Sequence, residues 1–524
     1  MSSLATALRR DTHAAAALLA AARQALNGGN ARAAVAHLTL AMRADPLDAA
    51  LRSARAQSYA RLGQWAHAEA DCFNAMTALC FAAEAAQDQL AEVYGTLGTS
   101  AIRNAHFAVA AMAADMLERA GLRNRGAQLR ADSTRIRSEL IARYERGLAG
   151  LPPGSDDELA RRRLLDDAFA PVLGSHPGVL VADTSARAAA AGPRSASVVL
   201  PALSQSFAHA SAAEVVCVKG KGFGVRATRA LQSGDVVLRE RPLVAASATP
   251  AKQCEHCLRP LPATVAKCSC CACAFCSEAC LETAVAAYHG PLCGMSWAHA
   301  SSAPQRRESK TALAMKLLGM ALITQQQNGH TGMQCAPADL PPVELLWRRS
   351  DAGAFTQSLV ALDWFHDAYR AFRSAALAAG NGNHAGFRVL LDPAFDLDAF
   401  AALHDVLAVN AMRVVTASQD GDAGAVLLVA GSIFNHACEA NTDWRFDDDA
   451  VVEFRTIKPV RAGEELSIAY VPAALPYAQR AQRLFANFGF LCDCAACRSE
   501  PAFESTAAAI TRAAPSVKHS VRLW

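Results

Sequence analysis

The first 145 residues carry apolar and polar positions in the pattern of amphipathic helices. This stretch is rich in Ala, Leu, Arg and Gln, and it contains almost no proline, which would interrupt a helix. The pattern therefore predicts a helical domain over residues 1–145. Arg9, Arg10 and the apolar run to Ala22 resemble a targeting peptide, but they lack a convincing cleavage site and continue into the helical pattern. We therefore expect them to remain in the protein.

The helical domain contains a weak internal repeat. Three alanines recur after 34 residues, and the six positions are Ala22, Ala34, Ala41, Ala56, Ala68 and Ala75. This spacing matches tetratricopeptide repeats (TPR), in which small residues let paired helices approach each other. A third unit over residues 82–118 is less regular. We expect TPR-like repeats, and a plain alanine-rich bundle is the alternative.

The patterning changes after the helical domain. Residues 146–205 are rich in Pro, Gly and small residues, which predicts a linker with one short helix at 156–170. Short β-like runs follow at residues 214–218, 236–239, 426–433 and 451–457. Helical patterning returns at residues 306–327 and 342–379. Since β-like runs flank these helices, we expect one small β domain that is split by insertions.

Composition narrows the class of protein. The 524 residues suffice for two or three domains, and 52% hydrophobic with 19% charged residues is typical of a helix-rich globular protein. The formal net charge of +3 neither requires nor excludes a nucleic-acid partner, and no basic cluster indicates one. No apolar run approaches the roughly 18–20 residues of a membrane span.

Most of the candidate chemistry lies in clustered cysteines. One cluster pairs its ligands closely in sequence, as zinc sites do, and consists of Cys254, Cys257, Cys268, Cys271, Cys276, Cys280, His289 and Cys293. Eight ligands satisfy two tetrahedral ions. A cross-braced arrangement would give Cys254, Cys257, Cys276 and Cys280 to one ion, and Cys268, Cys271, His289 and Cys293 to the other.

Two alternatives remain for these cysteines. Cys270 and Cys273 offer a shifted register, which leaves only two residues between Cys273 and Cys276. The cluster could also consist of reduced structural thiols. A second cluster, formed by Cys492, Cys494 and Cys497, supplies only three ligands. A fourth ligand is therefore expected from elsewhere in the fold.

The order of motifs resembles a known family. Cys276-Ser277, Cys280, Tyr288-His289 and Cys293 are similar to a MYND zinc finger. Around it stand residues 219–225 (KGKGFGV), 435–441 (NHACEAN), 463–470 (GEELSIAY) and 490–497 (FLCDCAAC). Taken singly, each of these segments has an ordinary structural explanation, such as a turn or a hairpin. In this order they resemble the SET and MYND domain-containing lysine methyltransferases, and the N-terminal repeats suggest a TPR-carrying branch of that family.

The resemblance implies an α+β fold in several parts. A TPR-like domain (1–145) and a linker (146–205) would precede the N-terminal part of the SET domain (206–250). A MYND zinc finger (251–296) and a helical insert (297–405) would then split this β-rich domain. The C-terminal SET core (406–475) and a cysteine-rich post-SET segment with the tail (476–524) would complete the chain.

The resemblance also implies roles for individual residues. The S-adenosylmethionine contacts would be Lys221, Gly222, Phe223, Gly224, Ser432, Ile433, Asn435, His436, Tyr470 and Phe490. Of these, Phe490 would stack near the adenine, and Tyr470 would be the catalytic tyrosine. Cys438 would complete the post-SET zinc site with Cys492, Cys494 and Cys497, which gives about three structural zinc ions. The implied reaction transfers a methyl group to a lysine of a histone or non-histone protein.

Some positions depart from the family pattern. Ala437 and Ala440 replace the usual serine and proline, and Met412 replaces an aromatic residue of the lysine channel. Few residues follow Cys497, so we expect the N-terminal repeats to substitute for the helical C-terminal domain of many relatives. A catalytically inactive adaptor that binds partner peptides through its finger and repeats is the alternative function.

The expected partners are a protein or peptide with an accessible lysine, and peptides at the finger and the repeats. We expect no membrane partner, no direct nucleic-acid binding and a monomeric state. Metal-type cysteine spacing favours a reducing compartment, the cytoplasm or the nucleus.

Overall fold

The structure is a computed structural model of the 524-residue chain. It describes residues 10–79, 87–148, 212–218, 221–248, 252–269, 271, 273–293, 305–327, 337–339, 343–346, 358–378, 389–392, 395–415, 422–447 and 450–513. The predicted linker helix at 156–170 lies outside these residues, as do Lys219 and Cys270.

The N-terminal region is helical. Its helices are α1 (Thr12–Asn27), α2 (Ala31–Ala44), α3 (Ala49–Arg61), α4 (Trp65–Leu79), α5 (Gln87–Arg103), α6 (Phe107–Arg119) and α7 (Arg123–Leu148). The side chains of Asp11, Asn30 and Asp48 each accept a hydrogen bond from the first turn of the helix that follows them. Such N-caps satisfy backbone N–H groups that have no intrahelical partner, and they fix where the helices begin.

The repeated alanines are buried between these helices. All six positions of the 34-residue spacing are at most 1% exposed, and they are Ala22, Ala34, Ala41, Ala56, Ala68 and Ala75. Because alanine has the smallest side chain with a Cβ, helices that meet at these positions pack closely. The sequence period therefore corresponds to a recurring contact between helices.

The β part forms several small sheets. Its strands are β1 (Ala213–Val218), β2 (Gly222–Ala227), β3 (Val236–Glu240), β4 (Val244–Ser247), β5 (Ala266–Lys267), β6 (Ala274–Phe275), β7 (Ala411–Val415), β8 (Asp422–Leu427), β9 (Asn435–His436), β10 (Thr442–Phe446), β11 (Val452–Thr456) and β12 (Glu465–Ile468). The sheet orders are β1-β2-β12-β9, β10-β11-β3, β4-β8-β7 and β5-β6. Three of these sheets pair strands from before the cysteine-rich segment with strands from after the helical insert.

The insertions between the β segments are helical. After β6 come α8 (Glu278–Ala284), a π-helical turn (Val285–His289), α9 (Gly290–Leu292), α10 (Gln305–Gln327), α11 (Ser358–Ala378) and α12 (Leu397–Asn410). The C-terminal helices are α13 (Tyr477–Phe488), α14 (Ala495–Arg498) and α15 (Phe503–Ala513). The described part of the chain therefore has an N-terminal helical region followed by a mixed α+β region.

The N-terminal helices dock on the helical insert. Ala66 and Ala70 of α4 belong to the same apolar core as α10, α11 and α12. At the same boundary, the hydroxyls of Thr77 and Tyr369 lie 2.6 Å apart. Nη2 of the buried Arg52 donates a 2.6 Å hydrogen bond to the carbonyl oxygen of Leu391. The contact thus combines apolar burial with hydrogen bonds between the two regions.

One sequence-based prediction about elements is wrong in detail. The run at 426–433 is not one strand, because β8 ends at Leu427 and a 3₁₀ turn covers Gly431–Ile433. At Gly431 a side chain would overlap Leu428 and Phe454, so the chain turns here against the core. Within 342–379 the structure describes a 3₁₀ turn, Val343–Leu345, and a helix, Ser358–Ala378, and the residues 347–357 between them lie outside the described part of the chain. Among the described helices, none is both long and apolar enough to cross a bilayer.

Candidate active site and metal-binding clusters

The glycines of β2 permit a close approach of the chain to Asn435. A Cβ at Gly224 would lie 2.6 Å from Nδ2 of Asn435 and 2.7 Å from Cγ2 of Val218, closer than real atoms allow. Gly222 has a φ of 76°, a left-handed conformation that disfavours side chains. Gly224 therefore lets β2 lie against the segment that contains Asn435, and Gly222 permits the left-handed backbone where β2 begins.

Glu465 connects two of the predicted site residues. Its Oε2 accepts a hydrogen bond of 2.8 Å from Nζ of Lys221, and its Oε1 accepts one of 2.9 Å from Nδ2 of Asn435. Nδ2 of Asn435 also donates to the carbonyl oxygen of Phe223 at 3.1 Å. One carboxylate thus holds a cation and an amide from parts of the chain more than 200 residues apart.

Asn441 fixes the register of β12 in the site. Its Nδ2 donates to the carbonyl oxygen of Glu465 at 2.8 Å, and its Oδ1 accepts from the N–H of Ser467 at 2.9 Å. Beside it, β12 pairs in parallel with β9, so that Ser467 lies opposite Asn435 and Ile468 opposite His436. The side chain of Asn441 thus bonds the backbone of β12 as a strand partner would, next to the parallel pairing with β9.

His436 orients the backbone of Tyr470. Its Nδ1 accepts a 3.0 Å hydrogen bond from the N–H of Tyr470, which leaves Nε2 to face Sγ of Cys438 at 3.3 Å. Burial lowers the pKa of His436 to about 4, so the ring is neutral at physiological pH. The neutral ring links Tyr470 to the cysteine cluster at the C-terminal end.

The hydroxyl of Tyr470 donates a 2.6 Å hydrogen bond to the carbonyl oxygen of Phe434. Burial, and secondarily the charge of Glu465, raises the pKa of Tyr470 well above its usual value. The phenol therefore stays protonated, as a hydrogen-bond donor must. Its ring lies between the core of the β region and the C-terminal apolar cluster.

Aromatic rings from the C-terminal segment cover Tyr470. The ring centroid of Phe488 lies 4.8 Å from that of Tyr470, and Phe490 lies 6.4 Å from Tyr470 and 6.1 Å from His436. These separations are those of favourable aromatic pairs. The structure thus places Phe490 beside Tyr470 and His436.

Glu240 holds the turn that precedes Asn435. Its carboxylate accepts hydrogen bonds from the N–H groups of Val429 (2.7 Å), Ala430 (3.1 Å) and Gly431 (2.7 Å). Within the same turn, the hydroxyl of Ser432 donates to the carbonyl oxygen of Leu428 at 2.7 Å, and Ile433 is buried. The side-chain hydroxyl of Ser432 is thus engaged within its own turn.

The structure gathers the predicted metal ligands into three groups. Within each group the ligand atoms lie within 4.8 Å of one another, so each could hold a metal ion. The groups are Cys254, Cys257, Cys276, Cys280; Cys268, Cys271, His289, Cys293; and Cys438, Cys492, Cys494, Cys497. These are the sets expected from the sequence, and Cys273 belongs to none of them.

Lys316 anchors the cysteine-rich segment to the helical insert. It is fully buried, and its Nζ donates hydrogen bonds of 2.6 Å to the carbonyl oxygen of Ala245 and 2.5 Å to that of Glu255. The carboxylate of Glu255 lies 3.1 Å from the same ammonium group, and the ring of Tyr288 lies 5.0 Å from it. Burial alone would lower the pKa of Lys316, but the nearby negative charge of Glu255 outweighs it and raises the pKa well above its usual value.

Sequence reasoning missed Glu240, Glu465 as a bridging carboxylate, and Lys316. Glu465 stood within a recognised motif, but its two partners come from distant segments. Lys316 lies within helical patterning, where a charged residue is expected to face solvent. The roles of these three residues can be recognised only in the folded chain, because their partners are distant in sequence.

Comparisons with known proteins find similarity to SET domain proteins. The SET domain family model matches residues 222–471. A SET and MYND domain-containing protein of Dictyostelium discoideum is 27% identical over 154 residues, 28% of this chain and 43% of that protein. Histone-lysine N-methyltransferase ASHR2 of Arabidopsis thaliana is 26% identical over 316 residues, 54% of this chain and 71% of that protein.

Histone-lysine N-methyltransferase SMYD3 of Mus musculus is 30% identical over 110 residues, 21% of this chain and 24% of that protein. This chain thus spans less than half of the Dictyostelium protein and about a quarter of the mouse protein. A solved SET domain of LSMT bound to lysine and AdoHcy matches 59% of this chain and 63% of that chain. At 13% identity and a TM-score of 0.30, this last likeness carries no weight for the function.

Proposed function

The chain contains a SET domain and is a relative of the SET and MYND domain-containing proteins, and from this premise we propose that it is a protein-lysine N-methyltransferase. The observation that carries the proposal is that contacts join its separate motifs: Glu465 pairs with Lys221 and Asn435, and the N–H of Tyr470 donates to His436, which follows Asn435 in β9. Two of the relatives carry the name histone-lysine N-methyltransferase. The proposed substrate is a lysine side chain of a histone or non-histone protein.

The donor set around Gly224 fits S-adenosylmethionine. Lys221 offers a cation for a carboxylate, Glu465 offers an anion for an ammonium group, and Asn435 offers an amide. Gly224 lets the amide of Asn435 lie against β2, because a Cβ there would be 2.6 Å from its Nδ2, and Phe490 offers an aromatic face. We propose that Gly222, Phe223, Ser432, Ile433 and His436 line the same site, largely through backbone atoms.

When bound, S-adenosylmethionine supplies a sulfonium methyl group for transfer to a neutral lysine amine. A free lysine has a pKa of about 10.4, so the amine must lose a proton before it can attack. An apolar channel favours the neutral form, because burial penalises the ammonium. Met412, Trp444 and Tyr470 pack partly buried against the β-region core and supply apolar surface for such a channel.

Tyr470 orients the reacting groups in this proposal. Its phenol is neutral and is held by the carbonyl oxygen of Phe434, so its oxygen lone pairs stay directed while its proton is engaged. A fixed oxygen and neighbouring carbonyls can align the amine, which lowers the barrier through proximity and orientation. They also preorganise the electrostatic environment around the transferred methyl group. The zinc ions take no part in this chemistry.

We further propose that the three cysteine groups hold structural zinc, two of them in a MYND finger. Four sulfur or imidazole ligands and no free position are typical of structural rather than catalytic zinc. The post-SET group supports Tyr470 through the contact between Cys438 and His436. Zinc in that group would therefore fix the C-terminal wall of the site.

The two alanine departures are compatible with this role. The N–H of Ala437 donates to the carbonyl oxygen of Ile468 at 3.1 Å, a bond that needs no serine hydroxyl. Asn441 keeps its two backbone contacts to β12 although Ala440, not proline, precedes it. Met412 is a flexible side chain, so it does not by itself fix the shape of the channel. We propose that the other side chains around the channel determine the degree of lysine methylation.

A second candidate function is peptide binding by the N-terminal helices, which we propose are TPR-like. A cavity of about 730 Å³ lies among α3, α4, α5, α6 and α7, and its lining includes Gln57, Arg61, Trp65 and Arg125. This supports an adaptor role, alone or beside catalysis. Cytoplasmic or nuclear residence and a monomeric state are proposed on the sequence alone.

The direct test is a methylation assay with labelled S-adenosylmethionine on a peptide or proteome array. We expect the wild-type protein to transfer label to lysine and the Tyr470→Phe variant to lose this transfer. Label that is absent from every substrate, with cofactor binding intact, would favour the adaptor. Label that persists unchanged in Tyr470→Phe would assign the catalytic role to another residue.

A further inference from the structure

A carboxylate is fully buried where the N-terminal helices meet the helical insert. Glu69, on α4, has no exposed side-chain surface. Two histidines face it, His106 from the turn before α6 and His366 from α11. The three residues come from three separate elements on both sides of the interdomain contact. They belong neither to the cysteine groups nor to the proposed methyl-transfer site.

Their donor atoms converge. Nδ1 of His106 lies 2.9 Å from Oε1 of Glu69, and Nε2 of His366 lies 3.5 Å from the same oxygen. All three donor atoms lie within 4.8 Å of one another. Metal–ligand distances of about 2.0–2.2 Å place the ligands of one zinc ion at similar separations. The cluster needs only small side-chain shifts to surround an ion.

His366 carries the strongest indication of a ligand. Its Nε2 is buried and has no hydrogen-bond partner among the residues that the structure describes. A buried nitrogen without a partner costs free energy, and native structures rarely leave one so. An imidazole nitrogen directed at a carboxylate and a second imidazole is the geometry that a transition metal satisfies.

We propose that Glu69, His106 and His366 form a further metal site, for a divalent transition-metal ion such as Zn²⁺, that ties the N-terminal helices to the helical insert. Two imidazoles and one carboxylate are an established ligand set for such ions. The ion would bridge α4 and α11 in place of the weak 3.5 Å contact. Its proposed role is to fix the orientation of the two regions.

The surroundings suit this role. Nδ2 of Asn104 donates a 2.6 Å hydrogen bond to Oε2 of Glu69, which orients the carboxylate as outer-shell partners of metal ligands do. Phe73 packs its ring 4.6 Å from that of His366 and shields the site from water. Burial lowers the pKa of His366 to about 4, so the imidazole is neutral and able to ligate at physiological pH. Arg370, the cation near His366, pairs with Asp367 at 2.5 Å.

The test titrates Co²⁺ into the full-length protein with its cysteine groups already filled with Zn²⁺. We expect one added equivalent with visible d–d absorption and no thiolate-to-cobalt charge transfer, because the ligands are nitrogen and oxygen. His366→Ala should abolish this equivalent. Asn104→Ala should weaken it about 10- to 100-fold, the usual loss when an outer-shell partner is removed.

His67→Ala is the matched control. His67 pairs with Asp398 at 3.0 Å across the same interdomain contact but lies outside the cluster. The control should keep the Co²⁺ equivalent. If His366→Ala does not fold, zinc-edge anomalous scattering from crystals of the wild-type protein should show a peak between Glu69 and His366. The proposal would be overturned if His366→Ala bound Co²⁺ as the wild type does. It would also be overturned if the wild type showed neither an added Co²⁺ equivalent nor such a peak, and the three residues would then be a hydrogen-bonded cluster.

Discussion

The backbone N–H of Tyr470 donates a 3.0 Å hydrogen bond to Nδ1 of His436. Because Nε2 of the same ring faces Cys438, the proposed catalytic tyrosine and a proposed zinc ligand share one imidazole. The hydroxyl of Tyr470 is separately fixed by the carbonyl oxygen of Phe434. Both ends of Tyr470 are thus held by the segment that also supplies Asn435.

Removal of the Tyr470 hydroxyl should separate binding from catalysis. Tyr470→Phe loses the bond to Phe434, which costs about 1 kcal/mol of stability, and it loses the oriented oxygen. We expect cofactor affinity to stay within about threefold while turnover falls by roughly 100-fold or more. Single-turnover methylation and calorimetry on one preparation measure both. Tyr477→Phe, which removes a weaker 3.4 Å bond to Phe503, is the control and should keep its turnover.

Loss of the bridging carboxylate should weaken cofactor binding. Glu465→Ala releases Lys221 and one donor bond of Asn435, so both side chains lose their fixed positions. We expect the dissociation constant to rise about tenfold, which corresponds to roughly 1.4 kcal/mol. Glu464→Ala is the control, because that neighbour contacts Arg461 and Asn441 instead. Equal affinities of the two variants would contradict the bridging role.

A methyl group at Gly224 should separate β2 from Asn435. In Gly224→Ala the new Cβ would meet Nδ2 of Asn435 at 2.6 Å, and the relief of this overlap costs about 1–3 kcal/mol. Denaturant unfolding measures the loss, and calorimetry should show weaker cofactor binding. Gly28→Ala, where the nearest atom is 3.6 Å away, is the control for a tolerated methyl group. A Gly224→Ala variant as stable as Gly28→Ala would show that the close approach is not required.

Loss of Cys438 should affect both metal content and the active site. Cys438→Ser removes one of four ligands from the post-SET group, so zinc per chain should fall by about one equivalent. Since His436 contacts this cysteine, cofactor affinity should fall as well. Elemental analysis and calorimetry report the two effects. The control is Cys217→Ser, which changes an exposed cysteine outside the groups and should alter neither zinc content nor cofactor affinity. An unchanged zinc content in Cys438→Ser would show that Cys438 is not a ligand.

Local chemistry made part of this structure predictable. The spacing of the cysteines gave two of the groups that the fold brings together and three ligands of the third, because the ligands of one metal ion must converge whatever the surrounding chain does. The alanine period predicted buried helix contacts, and all six positions are buried. The role of Cys438 came from a family resemblance, and its approach to Cys497 at 3.4 Å agrees with it.

Other features depended on tertiary structure. The apolar run at 426–433 looked like one strand, but the carboxylate of Glu240, nearly 190 residues away, binds three backbone N–H groups and turns the chain. Glu69, His106 and His366 carry no motif, and only the docking of the N-terminal helices on the insert brings them together. Such contacts have no signature in local sequence, because their partners are distant.

Calorimetric titration of the zinc-loaded, full-length protein with S-adenosylmethionine tests the central claim most directly. The account predicts saturable binding at about one site per chain, and a large loss of affinity in Asn435→Ala, whose amide contacts Phe223 and Glu465. An absence of binding by the folded, zinc-loaded wild-type protein would contradict the methyltransferase assignment.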